Sequence, residues 1–359
     1  LTTDHFSFLV DRQDITQAAL QSIVPPDLVP GEARLEIESL ALSANTLTYA
    51  ATGGLLGYWK FFPVSGSAGL VPAWGIARVA QSRCELLPEG SRWFGFLPLA
   101  SHFVVTPRMR GEARFTDAAP HRQELPANYN IYRNVDHDPF LLPGREEECA
   151  LLRPLVILSF LIVEHLKARG VSAADQVMLT SASSKVALAV AHLARQAGCG
   201  YWLGLTSEKH SEFVRATGAY DRVATYQDIE WLDAAPGILL DVSGNESVRT
   251  RIETRWAHSI KEALIVGATQ WDAAQASFSR DARTSVFFAP DVMKASLAAG
   301  GPDVFEARFL EAWRSVLDWT PQWLTLERRT GAAGLASTYR DLLQGAVPPD
   351  RGLYVALSQ

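Results

Sequence analysis

Over residues 1 to 110 the chain runs in short apolar segments of period two. Beyond that, apolar runs alternate with stretches of helical length. Ala33 to Ser43 (ARLEIESLALS) alternates as a half-buried strand should. Trp74 to Ala80, Trp93 to Leu97 and Ser101 to Thr106 predict further strands separated by turn residues, so this part reads as a small barrel or sandwich. Glu112 to Pro143, rich in Pro, Asn and Asp, reads as a long loop. A loop of that length is uncommon unless it covers something, and Tyr129, Asn130 and Tyr132 read as part of a lid. Glu146 to Arg169 predicts helices.

Asp175 to Ser207 is the stretch on which the second part is organised. Val177 to Thr180 suits a buried strand, Ser181-Ala182-Ser183-Ser184 a tight turn, Lys185 to Ala197 a helix closed by Gly198 and Gly200, and Tyr201 to Leu205 a second strand. This is the βαβ unit of a dinucleotide-binding fold. The helix start offers unpaired N–H groups and a positive dipole to an anion. A helix over Glu208 to Thr217 follows, then strands at Arg222 to Thr225, Ile238 to Val242, Ala263 to Val266 and Ser285 to Ala289, and a long amphipathic helix over Val304 to Trp319. Six strands are the number that two mononucleotide-binding halves need. Leu324 to Gln359 predicts a strand, a helix over Ala332 to Gln344 and a strand over Leu353 to Leu357, returning to the first part.

Composition narrows the function classes. With 359 residues, 48% of them hydrophobic, the chain is long enough for two domains. A net charge of −6 carries no basic surplus, so no nucleic-acid partner is expected. The longest apolar stretch, Leu155 to Val163, is short of a membrane span, and the opening LTTDHFSFLVDRQD lacks the pattern of a signal peptide. Cys84, Cys149 and Cys199 are widely separated, which argues for a reducing cytoplasm and against a disulfide or zinc framework.

Several segments carry a resemblance in shared order: Ser43-Ala44-Asn45, Gly75 to Ala80 followed by Gly90 and Phe94-Gly95, Leu179 to Leu188, Tyr220 to Tyr226, and Leu240-Asp241-Val242 with Gly244. The chain resembles the medium-chain dehydrogenase/reductase superfamily, in particular its zinc-free, quinone-oxidoreductase-like and enoyl-reductase-like branch. The resemblance implies an α/β protein. A GroES-like β-barrel domain over residues 1–148 and 320–359 would carry the substrate, and a Rossmann doubly wound parallel sheet over 149–319 the dinucleotide. It also implies a homodimer. Ser43 replaces the catalytic Cys of zinc-dependent members, and Pro72-Ala73-Trp74-Gly75 stands where a His-Glu pair would, so no zinc is expected.

The phosphate turn departs from the family. Where relatives carry a run like G-A-S-G-G-V-G, Ser181, Ala182, Ser183, Ser184, Lys185, Val186 and Ala187 contain no glycine. In one reading the Ser183 and Ser184 hydroxyls bind phosphate and Lys185 neutralises it. In the other, a serine caps the helix and Lys185 extends to solvent. At the end of the second strand, Thr206, Ser207 and Lys209, with Tyr226 nearby, stand where an acidic residue would select NAD, so NADPH is the expected cofactor. Lys209 also reads as an ordinary charge on a solvated helix. Val242 and Gly267 complete the expected cofactor set with Ser181 and Val186.

For chemistry the resemblance points to Asn45, near the nicotinamide in that branch, and to Tyr49, Tyr58 and Lys60, with Tyr58 and Lys60 as a proton-donating pair. Both tyrosines equally suit filling the barrel mouth. The expectation is a metal-free, NADPH-dependent oxidoreductase acting on a small molecule with an activated alkene or carbonyl: an enone, quinone or enoyl thioester. The alternatives are a repurposed scaffold that binds another ligand or partner, and a lyase or dehydratase without redox chemistry.

Overall fold

The computed structural model describes residues 5–233, 237–256, 258–266 and 283–358. The chain divides into two compact units, Leu1–Leu151 with Thr325–Gln359, and Leu152–Leu324.

The first unit is built on the strand Ala33–Leu42, in which Ala33, Leu35 and Ile37 point inward and are buried. Along one edge it pairs antiparallel with Pro72–Ser82. On the other it pairs first with His102–Val105 and then with Arg351–Ala356. Register shifts after Arg34 and Ile37 bend the strand as bulges do. Phe6–Asp11, flanked by Ala18–Ser22 and Ala68–Leu70, forms a separate three-stranded sheet. The inward side chains make an aromatic-rich core that includes Trp93, Phe96, Phe103, Phe115 and Tyr132. Together these strands form the GroES-like β-barrel part of the fold.

Residues 112–143 depart from the expected loop. Arg114–Asp117 and Ile131–Asn134 pair with each other, and the second also pairs with Arg92–Pro98. Tyr132 is therefore no lid residue: fully buried, its ring stacks on Phe115 at 4.7 Å between centroids. Gly95 makes this possible, since a Cβ there would lie 2.5 Å from the Tyr132 ring. Asn130 is buried as well, donating to the Asp117 carbonyl at 2.8 Å.

A buried ion pair holds this segment. Arg122 Nε and Asp117 Oδ2 lie 3.4 Å apart, and each side chain is 1% exposed. Asp117 Oδ1 accepts from the Thr106 and Ala119 amides at 3.0 Å each. The Arg122 guanidinium donates to Asn130 Oδ1 at 3.3 Å and lies over the Phe62 ring at 4.4 Å.

The second unit begins in the helix Glu146–Ala168, which straddles the boundary between units and runs unbroken through Pro154. That helix is long and apolar enough to cross a membrane by length and composition, yet 67% of its apolar window is buried within the protein, as in a core helix. Six parallel strands follow in the spatial order third, second, first, fourth, fifth, sixth, the doubly wound Rossmann arrangement. They are Gln176–Leu179, Tyr201–Thr206, Arg222–Thr225, Ile238–Asp241, Glu262–Ile265 and Thr284–Val286. The last stops short of the expected Ala289, which opens the next helix with Pro290 in its first turn. That helix, Ala289–Trp319, starts well before Val304 and is two helices joined at a kink, where Gly301 takes φ +80° ahead of Pro302.

Asp117→Ala is expected to destabilise the first unit by about 3–5 kcal/mol, because it strands a buried guanidinium. The denaturation midpoint measures this, and a midpoint near that of the unaltered protein would contradict it.

Candidate functional site

The turn after the first Rossmann strand is fixed from beneath. Thr180 and Asp241, which close the first and fourth strands, are buried, and the Thr180 hydroxyl donates to Asp241 Oδ1 at 2.7 Å. The same hydroxyl accepts from the Val242 and Ser243 amides at 3.0 and 3.1 Å. Ser243 gives Asp241 Oδ1 both its hydroxyl, at 2.7 Å, and its amide, at 3.0 Å. Arg249 pairs with Oδ2 at 3.7 Å. Val242 therefore serves here through its backbone.

Above this knot Ser181 has φ +52°, the only positive φ outside glycine among the described residues. A serine thus follows the left-handed path usually left to glycine, at a cost of roughly 1–2 kcal/mol. Its amide donates to the Tyr226 hydroxyl at 2.9 Å, so Tyr226 meets the turn itself. Burial raises the Tyr226 pKa, so the phenol remains protonated at neutral pH. Ser184 caps the helix Lys185–Gln196, accepting from the Ala187 amide at 3.2 Å. Ser183 faces His210 instead, with Oγ 3.3 Å from Nδ1. Lys185 is half-buried in the first helical turn and Val186 is buried.

At the end of the second strand the expected residues separate. Thr206 is 1% exposed and belongs to the core, Ser207 is the N-cap of the helix Glu208–Ala216 without a side-chain cap bond, and Lys209 is exposed. Gly267 lies outside the described residues.

The first unit gathers Asn45, Tyr49 and Tyr58 but not Lys60. Ser43, at the position of the missing cysteine, caps a helix over Ala44–Ala51 by a capping box with Thr46. Asn45 and Tyr49 stand one turn apart on that helix, close enough for the Asn45 side chain to act on the Tyr49 phenol. The Tyr49 hydroxyl also accepts from Trp74 Nε1 at 3.3 Å. Tyr58 pairs with the Tyr129 hydroxyl at 3.3 Å, whereas Lys60 is exposed. Phe96 packs against Tyr49 at 5.1 Å and Tyr129 at 4.9 Å between centroids. Burial drives the Tyr49 and Tyr129 pKa values far up, and pushes Tyr58 up to about 12. These phenols are hydrogen-bond donors across the physiological range and do not titrate there. Trp74, Phe96 and His210 were missed in the sequence because lone aromatic and histidine residues carry no spacing. Thr180 gave one usable signal, a hydroxyl at a strand end facing an acidic strand end.

A family model, described as a protein of unknown function (DUF2855), matches residues 40–348. The chain belongs to the DUF2855 family. No curated protein matches this DUF2855 chain in sequence. Solved structures share its fold at low identity. CurA from Vibrio vulnificus, in complex with NADPH, superposes with a TM-score of 0.63 at 12% identity over 99% of each chain. A quinone oxidoreductase from Coxiella burnetii gives 0.57 at 13% over 99% of each. The yhdH oxidoreductase from Salmonella enterica, in complex with NADP, gives 0.57 at 14%, over 98% of this chain and 100% of that one. The DUF2855 chain therefore shares the fold of these three proteins over nearly its whole length.

Tyr226→Phe leaves the Ser181 amide without its acceptor and is expected to cost about 1 kcal/mol of stability, read from the denaturation midpoint. A shift indistinguishable from zero would show that the hydroxyl does not hold the turn.

Proposed function

We propose that this protein is a metal-free, NADPH-dependent oxidoreductase that reduces an activated alkene or carbonyl of a small molecule. The observation that carries the reading is the doubly wound parallel sheet whose first strand runs through a left-handed serine into a capped helix bearing Lys185. A dinucleotide pyrophosphate suits such a helix start. The missing glycines leave that fit intact: Ser181 keeps the backbone path that glycine would give, and Ser183, Ser184 and the Lys185 ammonium supply donors for phosphate. Two structural neighbours are solved with NADPH or NADP bound, which supports the choice of cofactor.

When bound, the cofactor supplies hydride. The chain's own part is binding and electrostatics. Ser183, Ser184 and Lys185 would hold the pyrophosphate, and Ser207 and Lys209 would receive the adenosine phosphate. In the first unit, Asn45 and the Tyr49 and Tyr58 hydroxyls offer hydrogen bonds to an oxygen on which negative charge develops. With their raised pKa values these phenols stabilise that oxygen as neutral donors. Among the described residues no cluster of His, Cys, Asp or Glu suits a metal ion. We further propose a cytoplasmic homodimer joined along the sheet-edge strand Thr284–Val286.

One observation favours a second reading, a repurposed scaffold: the Ser181 amide, which would face a phosphate, already has Tyr226 as its acceptor.

Fluorescence titration separates the two. NADPH is expected to bind more tightly than NADH, and binding of neither would favour the repurposed scaffold. Lys209→Ala should weaken NADPH alone. Lys185→Ala should weaken both cofactors about ten- to a hundredfold, as loss of a charge-assisted contact of ~1.5–3 kcal/mol implies. Unchanged affinity in the Lys185 variant would remove that residue from the site.

A further inference from the structure

The bond between Ser183 and His210 ties together the two segments on which the dinucleotide reading depends. Ser183 belongs to the turn after the first strand. His210 is the third residue of the helix that follows the second strand, and its amide donates to the Ser207 carbonyl at 3.0 Å. Its half-buried ring stands beside the position where an acidic residue would select a cofactor with a free ribose hydroxyl. With Thr206 in the core, the side chains left at this strand end are Ser207, Glu208, Lys209 and His210.

We propose that His210 is a specificity-determining residue that recognises the phosphate monoester by which NADPH differs from NADH. The assignment rests on the dinucleotide reading above. Ser183 fixes the ring through Nδ1, so that Nε2 is the nitrogen offered to the phosphate.

The charges around the ring set its response. On its own helix these are Glu208, Lys209, Glu212 and Arg215, and the turn against it carries Lys185. Burial, and then the Lys209 ammonium, hold the His210 pKa below the ordinary histidine value, so the ring is neutral in the free protein at neutral pH. A dianionic phosphate at Nε2 reverses the balance by favouring the imidazolium. Binding of NADPH then raises the pKa, and the protein takes up a proton from solution. NADH has no group to cause this. By linkage, NADPH affinity rises as pH falls through the window between the free and bound pKa values, while NADH affinity stays level.

Isothermal titration calorimetry of the full chain with NADPH and with NADH tests this. Two buffers of different ionisation heat would be used at about pH 7.5, where the phosphate stays largely dianionic. The expected result is proton uptake with NADPH and none with NADH. His210→Gln, which keeps a hydrogen-bond donor but does not titrate, should abolish the uptake and weaken NADPH about tenfold, leaving NADH unchanged. Equal proton counts for the two cofactors, or an unchanged affinity ratio in the variant, would overturn the assignment while leaving dinucleotide binding intact. If the wild-type chain binds neither cofactor, the dinucleotide reading itself fails and this assignment with it. Should the variant not fold, the wild-type proton counts decide alone.

Discussion

A single carboxylate, that of Asp241, organises the carboxyl edge of the parallel sheet. Taking a charge fully out of water costs several kcal/mol unless its lone pairs are met. Asp241 meets this at Oδ1 with two hydroxyls and one amide, while Oδ2 faces the Arg249 guanidinium at 3.7 Å without a hydrogen bond. Because Thr180 is one of these donors, the ends of the first and fourth strands are locked at a common level. The chain must leave Thr180 from that point, and the left-handed Ser181 is how it turns. In a glycine-rich turn the permissive backbone does this work. Here the turn is shaped by a polar knot beneath it and by the Tyr226 hydroxyl beside it, so bulkier residues can stand where glycine otherwise would.

The sheet was legible in the sequence because buried parallel strands are continuous apolar runs, and VMLT, ILLD and ALIV stand out between polar helices. The helix Ala44–Ala51 was not. Its eight residues are too few for a period to show, and its capping box uses Thr46 in place of an acidic residue. The strands at Arg114–Asp117 and Ile131–Asn134 were hidden by neighbouring Pro, Asn and Asp, and four residues cannot display alternation. The site was legible only where a residue's position along one element decides its role. Ser184 at a helix start could be read directly. Ser183 with His210, or Trp74 with Tyr49, are meetings between elements that no spacing encodes.

The aromatic group of the first unit sets its own chemistry. Stacked and edge-on rings exclude water from the phenols of Tyr49, Tyr58 and Tyr129, which is why their pKa values move up. A phenol made a weaker acid is a poorer source of a free proton, yet it keeps its capacity to donate a hydrogen bond. The same exclusion of water makes each hydrogen bond in the group stronger than it would be in solvent. Arg122, over Phe61 and Phe62, adds a fixed positive charge behind these rings, held by Asp117.

The pairing of Arg351–Ala356 with Ala33–Leu42 has a consequence for synthesis on the ribosome. The second unit is one uninterrupted segment, so it can form as soon as residue 324 has emerged. The first unit lacks one neighbour of its main strand until Arg351–Ala356 has been made. The part of it before Leu152 must therefore wait, with the Ser39–Leu42 edge of its main strand unpaired, while the later segment folds. Closure across some three hundred residues is slow by its topology. Nascent chains should thus depend on holding chaperones chiefly through the residues before Leu152, and loss of Arg351–Ala356 should undo the first unit before it touches the parallel sheet of the second.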